Sequence, residues 1–167
     1  PMMNFRVARP ENLIDINRLA ELDYIRIEEG ELVIGALARH TALRNSEIVR
    51  KACPLMAEAY QHVAHGPIRN RGTLCGNICH ADPASEMPAV MLATEAVLVL
   101  KSKRGERRVA AKDFFLDVYQ TATEPDELLI EVRVPVALKG QLSSFQEVSV
   151  RKGDFAMAGV GVVLTMA

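Results

Sequence analysis

Between Ile68 and Met91 the chain reads IRNRGTLCGNICHADPASEMPAVM, a run holding two glycines, two cysteines, a histidine, an aspartate and two prolines. Residues of these types fit three readings. In the first, the run cradles an anion. Main-chain N–H groups lining a loop bind phosphate oxygens where no side chain blocks the approach. Gly72 and Gly76 leave the backbone bare and free to take positive φ. Thr73 and Asn77 add a hydroxyl and an amide beside them, and Asp82 offers a carboxylate for the hydroxyls of a ribose. In the second, Cys75, Cys79 and His80, with His62 and His65 nearby, make a zinc knuckle. The C-x3-C spacing departs from the usual C-x2-C, and no second ligand pair follows. In the third, the run is an irregular loop, with Cys53 and Cys79 acting as small hydrophobes. Spacing leaves all three open. Arg69 and Arg71 read either as phosphate partners or as an exposed basic pair. No nucleophile elbow, P-loop or carboxylate pair spaced for acid–base chemistry is visible, so no catalytic residue is expected and redox chemistry would come from a cofactor.

The elements around the run must position it. Asn12 to Leu19 reads as a short strand and turn, and Tyr24 to Leu37 as a hairpin, with Ile25, Ile27, Leu32 and Ile34 alternating about a Glu29-Gly30 turn. Ser46 is a plausible N-cap before Ile48 and Val49. Pro54 opens a further helix with Leu55, Ala59 and Val63 on one face. Asp82-Pro83 suits a cap and first-turn pair, with Pro88 breaking or restarting any helix there. Glu95 to Ala111 predicts a second hairpin turning at Arg104-Gly105, and Phe114 to Leu129 reads mostly as loop. Leu128 to Pro135 predicts a strand with Ile130, Val132 and Val134 on one side and Glu131 and Arg133 on the other. Ser143 to Val150 begins another strand, and Arg151 to Asp154 reads as a charged turn or a strand end. The run KGDFAMAGVGVVLTM, Lys152 to Met166, is a buried strand or a buried helix, which periodicity does not decide. Recurrent hairpins with helices between them indicate an α+β fold built on antiparallel pairing.

Bulk properties exclude several function classes. With 49% hydrophobic and 25% charged residues the 167-residue chain can build a core. A balance of 20 basic against 21 acidic residues argues against nucleic acid as a partner. Three cysteines, an odd count, fit a reducing compartment, so a cytoplasmic location is expected. The longest apolar run, Phe155 to Ala167, is shorter than a bilayer span, so no transmembrane segment is expected. Both ends, Pro1-Met2-Met3 and the apolar GVGVVLTMA, read as cut, and the chain is expected to be part of a longer polypeptide.

Arg69-Asn70, Thr73-Leu74-Cys75-Gly76-Asn77, Ala81-Asp82-Pro83-Ala84-Ser85-Glu86 and Pro88-Ala89-Val90 follow one another in an order that resembles the FAD-binding flavoprotein subunit, or domain, of the molybdenum hydroxylases. That family includes the medium subunit of carbon monoxide dehydrogenase and the flavin domain of xanthine dehydrogenase. The segments ARPENLIDINRLAELDYI, LVIGALARHTALRNS, DELLIEVRVP and FQEVSVRKGDFAMAGVGVVL are also similar to it, so the likeness runs through nearly the whole chain. Cys75 stands where the family usually has glycine, which places a thiol near bound flavin. The family's earlier Ala-Gly-Gly-x-Ser loop is not in this sequence.

The resemblance implies a PCMH-type FAD-binding domain over residues 1–136, lacking its first glycine-rich loop, and the start of a C-terminal α/β domain over 137–167, with Pro135 to Gly140 as the linker. It implies that Thr73, Leu74, Cys75, Gly76 and Asn77 contact the pyrophosphate and flavin, and that Asp82 takes the ribose or adenosine side. Ser85 and Glu86 would add polar contacts, and Gly35 and Ala36 would be a close-approach strand near the adenine. The implied role is electron transfer in a hetero-oligomer. A large molybdopterin–molybdenum subunit hydroxylates substrate, a small subunit carries two-iron clusters, and FAD in this subunit passes electrons to an acceptor. The competing expectation is a non-catalytic structural or Cys/His metal-binding module.

Overall fold

The computed structural model describes residues 3–165. The expectation of cut ends falls partly on Pro1, Met2, Met166 and Ala167, which lie outside the described residues. The first hairpin forms where expected, with β1 (Ile25–Glu28) antiparallel to β2 (Glu31–Gly35). Glu29 at φ 52° and Gly30 at φ 81° make the turn. Two successive left-handed residues match the right-handed twist of the paired strands. Asn12 to Leu19 is not a strand: Leu13 and Ile14 face outward and the segment has no ladder partner among the described residues, ending in a single 3-10 turn at Ala20–Leu22.

A helical region follows, in pieces. They are α1 (His40–Asn45), α2 (Glu47–Ala52), α3 (Pro54–Ala59), α4 (Gly66–Arg69), α5 (Leu74–His80) and α6 (Glu86–Ala93). Ser46 does cap α2, its hydroxyl accepting from the Val49 N–H at 3.3 Å. Pro54 opens α3 at a position whose N–H would have no helical partner, but α3 ends before Val63. Pro88 does not break α6. It sits in the first turn, where the missing N–H costs no helical bond.

The second hairpin is β3 (Val97–Ser102) with β4 (Gly105–Ala110). Its turn lies at Lys103-Arg104, one residue before the expected place, because Ser102 pairs with Gly105. The stretch read as loop contains α7 (Ala111–Phe114) and a small hairpin of β5 (Phe115–Asp117) and β6 (Gln120–Thr121). The strand β7 (Leu128–Pro135) completes a five-stranded antiparallel sheet ordered β1-β2-β7-β3-β4, so the last strand of the sheet to be made is the middle one. Its register against β3 skips Ile130, pairing Val99 with Glu131 and Leu100 with Leu129. This bulge exchanges the expected faces: Leu129 joins Val132 and Val134 in the core, while Ile130 is only half-buried.

The core lies between one sheet face and the helices, with Leu55, Met56 and Tyr60 from the α3 region, Leu74 and Ile78 from α5, and Met87, Val90 and Met91 from α6. On the other face an ionic cluster is built around Arg133. Its Nε donates to Glu131 at 2.6 Å and its Nη1 to Glu31 at 3.0 Å, while the Tyr24 hydroxyl donates to Glu131 at 2.6 Å. Residues 141–165 form a separate hairpin of β8 (Gln141–Ser149) and β9 (Ala156–Thr165), which settles the undecided C-terminal run as a strand. Phe145 turns inward from β8, and its N–H donates to Glu58 on α3 at 2.8 Å. Helix and antiparallel sheet mix as the sequence predicted.

Candidate functional site

The run from Ile68 to Asp82 holds the end of α4 and the whole of α5, joined by a short non-helical stretch at residues 70–73. Thr73 is the N-cap of α5, its hydroxyl accepting from the Gly76 N–H at 3.1 Å. Two further bonds clamp this start against the segment leaving β2: His40 N–H donates to Gly72 C=O at 3.1 Å, and Leu74 N–H to Ala38 C=O at 3.4 Å. Arg39 and Thr73 form an isolated antiparallel bridge. The end of the central sheet and the start of α5 are thereby held as two walls.

Between them lies a cleft of about 750 Å³, within the range of small-molecule sites. Ala36, Leu37 and His40 line one wall, Gly72, Thr73, Cys75, Gly76 and Asn77 the other, and Leu129 lies between. Gly72 is required by packing, since a Cβ there would stand 2.8 Å from the His40 ring. Gly76 is different: it is exposed, and a Cβ would meet only the Thr73 hydroxyl, at 3.0 Å, within 4 Å. Its bare face is open to the cleft. Cys75 carries no positive φ and needs no glycine-like conformation, because it lies in the first turn of a helix. Arg39 and Arg71 stand at the cleft as cations. Arg39 donates to the Arg71 carbonyl and to Asn17 Oδ1, which holds it at the cleft, while Arg69 lies outside the cleft and donates to the Val63 carbonyl at 3.0 Å.

The other sequence-predicted residues lie elsewhere. Leu74 is fully buried in the core and offers no side chain to a ligand. A Cβ on Gly35 would fall 2.3 Å from the Leu22 carbonyl oxygen, so its bareness serves the approach of the chain's own backbone. Asp82 does not cap α6. Its Oδ1 accepts from Ala84 N–H at 2.9 Å and its Oδ2 from the Tyr119 hydroxyl at 3.1 Å, fixing the turn after α5. Ser85, the N-cap residue of α6, donates to Asn77 Oδ1 at 3.0 Å and so orients a cleft residue from behind. Sequence reasoning missed His40, Arg39 and Leu129. The Ala-Arg-His run straight after a strand was the available signal for the first two.

Electrostatics separate the groups further. Burial, with Arg69 adding its charge, lowers His40 to about 4, so the imidazole beside the Tyr60 hydroxyl at 3.2 Å is neutral. Burial pushes the Cys75 thiol well up and Cys79 to about 11. Among the described residues no three His, Cys, Asp or Glu groups gather as metal ligands. His62 stacks on Phe145, away from the cysteines, at 5.7 Å between ring centroids.

Glu86 is buried at the start of α6, and Glu147 on β8 has both carboxylate oxygens buried without a hydrogen-bond partner. Burial first, then the charges of Glu147 and Asp82, raise Glu86 to about 7 from the ordinary 4.5. The folded chain therefore holds this proton more tightly than the unfolded chain. Stability from Glu86 is gained as pH falls from above 7 towards 4.5 and lost as pH rises through 7. His40 acts in the opposite sense, losing stability as pH falls from 6.5 towards 4. Subtracting the stability–pH curves of Glu86→Gln and the parent isolates the first effect. The difference is expected to grow by about 2 kcal/mol in favour of the variant between pH 5 and pH 8 in denaturant titrations. A flat difference would show Glu86 to be ordinarily acidic.

A family model described as "FAD binding domain in molybdopterin dehydrogenase" matches residues 1–137. The chain is 46% identical over 165 residues to the caffeine dehydrogenase subunit beta of Pseudomonas sp. (strain CBB1), covering 98% of this chain and 56% of that protein. It is 43% identical over 164 residues to the carbon monoxide dehydrogenase medium chain of Hydrogenophaga pseudoflava, covering 98% of this chain and 57% of the relative. A solved carbon monoxide dehydrogenase from Hydrogenophaga pseudoflava superimposes with a TM-score of 0.97 at 43% identity, over 100% of this chain and 58% of the other. Quinoline 2-oxidoreductase from Pseudomonas putida 86 superimposes with a TM-score of 0.95 at 35% identity, over 100% of this chain and 58% of the other. The chain thus spans little more than half the length of these relatives.

Proposed function

The chain belongs to the family of FAD-binding domains of molybdopterin dehydrogenases, and from that premise we propose that it carries the flavin of a heteromeric oxidoreductase and relays electrons through it. The donor would be iron–sulfur clusters in a small partner subunit, fed by a molybdenum centre in a large one, and the recipient an external acceptor. The observation that carries this reading is the cleft at the start of α5, where the bare face of Gly76 stands beside Thr73, Asn77, Arg39 and Arg71. A dinucleotide's diphosphate asks for main-chain approach, short polar donors and positive charge. These residues supply all three.

Bound FAD would supply the redox chemistry, because no residue of the cleft is itself a redox catalyst. The chain's own part is to bind, orient and shield. Gly76 admits the ligand to the backbone. Ser85 fixes Asn77 by the bond at 3.0 Å. Ala36, Leu37 and Leu129 offer apolar surface for a flat ring. Asp82 is kept as a ribose-side residue only in a bound state, since both of its oxygens are engaged by Ala84 and Tyr119 in the free chain. We place the start of a further domain after Pro135 to Gly140, supported by the separate β8–β9 hairpin. Three free cysteines support a reducing, cytoplasmic compartment, and no helix among the described residues is long and apolar enough to cross a membrane.

The test is flavin content. The polypeptide purified with its partner subunits is expected to be yellow, with one flavin per chain. Gly76→Val, which plants a branched side chain on the open face, is expected to weaken flavin binding at least about tenfold, or ~1.4 kcal/mol. Gly159→Val, on the exposed strand β9 outside the cleft, where a Cβ meets nothing nearer than 3.8 Å, should keep its flavin. A colourless complex, or a Gly76→Val complex with full occupancy, would exclude the cleft as the flavin site.

A further inference from the structure

Cys75, nearly fully buried, and Cys79, half-buried, both line the cleft and lie four residues apart on α5. Side chains at this spacing share one helix face, with Cβ atoms ≈ 5–6 Å apart. A disulfide needs Cβ atoms ≈ 3.5–4.5 Å apart, so the two sulfurs do not bond directly while α5 stays wound. One larger atom bonded to both does span the gap. With bonds of about 2.3 Å to sulfur, the length seen in metal thiolates, it holds two sulfurs up to ~4 Å apart. Zinc is the wrong atom, since it asks for four ligands and no third ligand completes a cluster among the described residues. His80 follows Cys79 directly, is exposed, and packs on Tyr119 with ring centroids 5.1 Å apart. Neighbours in a helix do not face each other.

We propose that Cys75 and Cys79 form a dithiol site in the cleft for monosubstituted trivalent arsenicals, R–As(OH)2, which need two sulfurs and no more. Two As–O bonds break and two As–S bonds form. The two thiol protons leave with the oxygens as two waters, and arsenic stays trivalent, so no oxidant or reductant enters. The reaction uses neutral thiols and a neutral ligand, which suits two sulfurs whose burial disfavours the thiolate. The same burial works against charged or thiolate-dependent reagents. This inference goes beyond the flavin reading: the same cleft would hold the flavin, so the two thiols are open to the reagent once any flavin has left.

The probe is phenylarsine oxide, hydrated in water to the dihydroxide, applied to the native complex after release of any bound flavin. After excess reagent is removed, the protein is denatured, alkylated with iodoacetamide and cut with trypsin. The peptide Gly72–Lys101 holds Cys75 and Cys79, whereas Cys53 falls in another peptide. The expected result is one phenylarsenic on Gly72–Lys101, with both cysteines protected from alkylation until a small competing dithiol is added. Cys79→Ala is expected to lose at least ninety-nine hundredths of this retention, roughly a hundredfold fall, because one As–S bond remains. Cys53→Ala should retain it fully. Alkylation of both cysteines in the treated parent, or equal retention by Cys79→Ala, would overturn the proposal. Loss of retention in Cys53→Ala would place the arsenic on a different pair and overturn it as well.

Discussion

Gly35→Ala is expected to destabilise the fold by roughly 3–5 kcal/mol, a size reserved for changes that have no room to relax. The added methyl would lie 2.3 Å from the Leu22 carbonyl oxygen, 2.9 Å from its carbon and 2.9 Å from the Tyr24 ring. Rotating a flexible side chain would relieve only the last of these. The Leu22 carbonyl is itself held, accepting from the Leu37 N–H at 2.9 Å, while Gly35 N–H donates to Tyr24 C=O at 2.9 Å. Relief therefore means breaking the bond that fixes Leu37, a wall of the cleft. Thermal unfolding is expected to drop by roughly 10 °C, with flavin retention falling alongside. An unchanged midpoint would show that the Leu22 strap moves freely.

Arg133→Leu is expected to cost about 3 kcal/mol by a different route. Arg133 and Glu131 are each about nine-tenths buried, on the sheet face away from the helices. The guanidinium meets Glu131 at 2.6 Å, Glu31 at 3.0 Å and Glu28 at 3.6 Å. Removing it leaves a buried carboxylate facing two other acids, which is worse than never having buried the pair. Glu131 keeps only the Tyr24 hydroxyl at 2.6 Å and the Arg26 guanidinium at 3.7 Å. Urea titration should show the loss, and Glu131→Gln added to Arg133→Leu should recover about half of it, because the amide still accepts from Tyr24. If the double variant is no better than the single, packing of the Arg133 stem rather than charge is responsible.

Local signals made the hairpins legible: alternating Ile25, Ile27, Leu32 and Ile34 around a turn that admits positive φ, and the similar pattern from Val97 to Ala110. The Ser46 cap and the Pro54 helix start were legible for the same reason, since each needs only neighbouring residues. α5 was not. Its Cys, Gly and Asn are indifferent or poor helix formers. What holds its seven residues is the Thr73 cap, the bond to Ala38, and the burial of Leu74 and Ile78, all but the cap supplied from a distance. The bulge at Ile130 was hidden likewise, being a matter of register against β3. Thr73, Gly76 and Asn77 were found in the sequence by their types. Ala36, His40 and Leu129 join them only because the sheet brings three distant segments to one edge. The roles of Asp82 and Ser85 could not be separated without knowing that one turns the chain and the other braces Asn77.

The placement of β7 governs how the molecule comes into being. Strands β2 and β3 never touch as neighbours; each waits for β7, which is made after both. Until Leu128–Pro135 leaves the ribosome, the nascent polypeptide carries two orphan ribbons with open inner edges, the kind of surface that recruits other chains. Closure then joins Glu31 to Pro135 across a long loop in one late step, so assembly is expected to be slow and all-or-none. The cleft, to which β7 contributes Leu128 and Leu129, is complete only once that seam has shut.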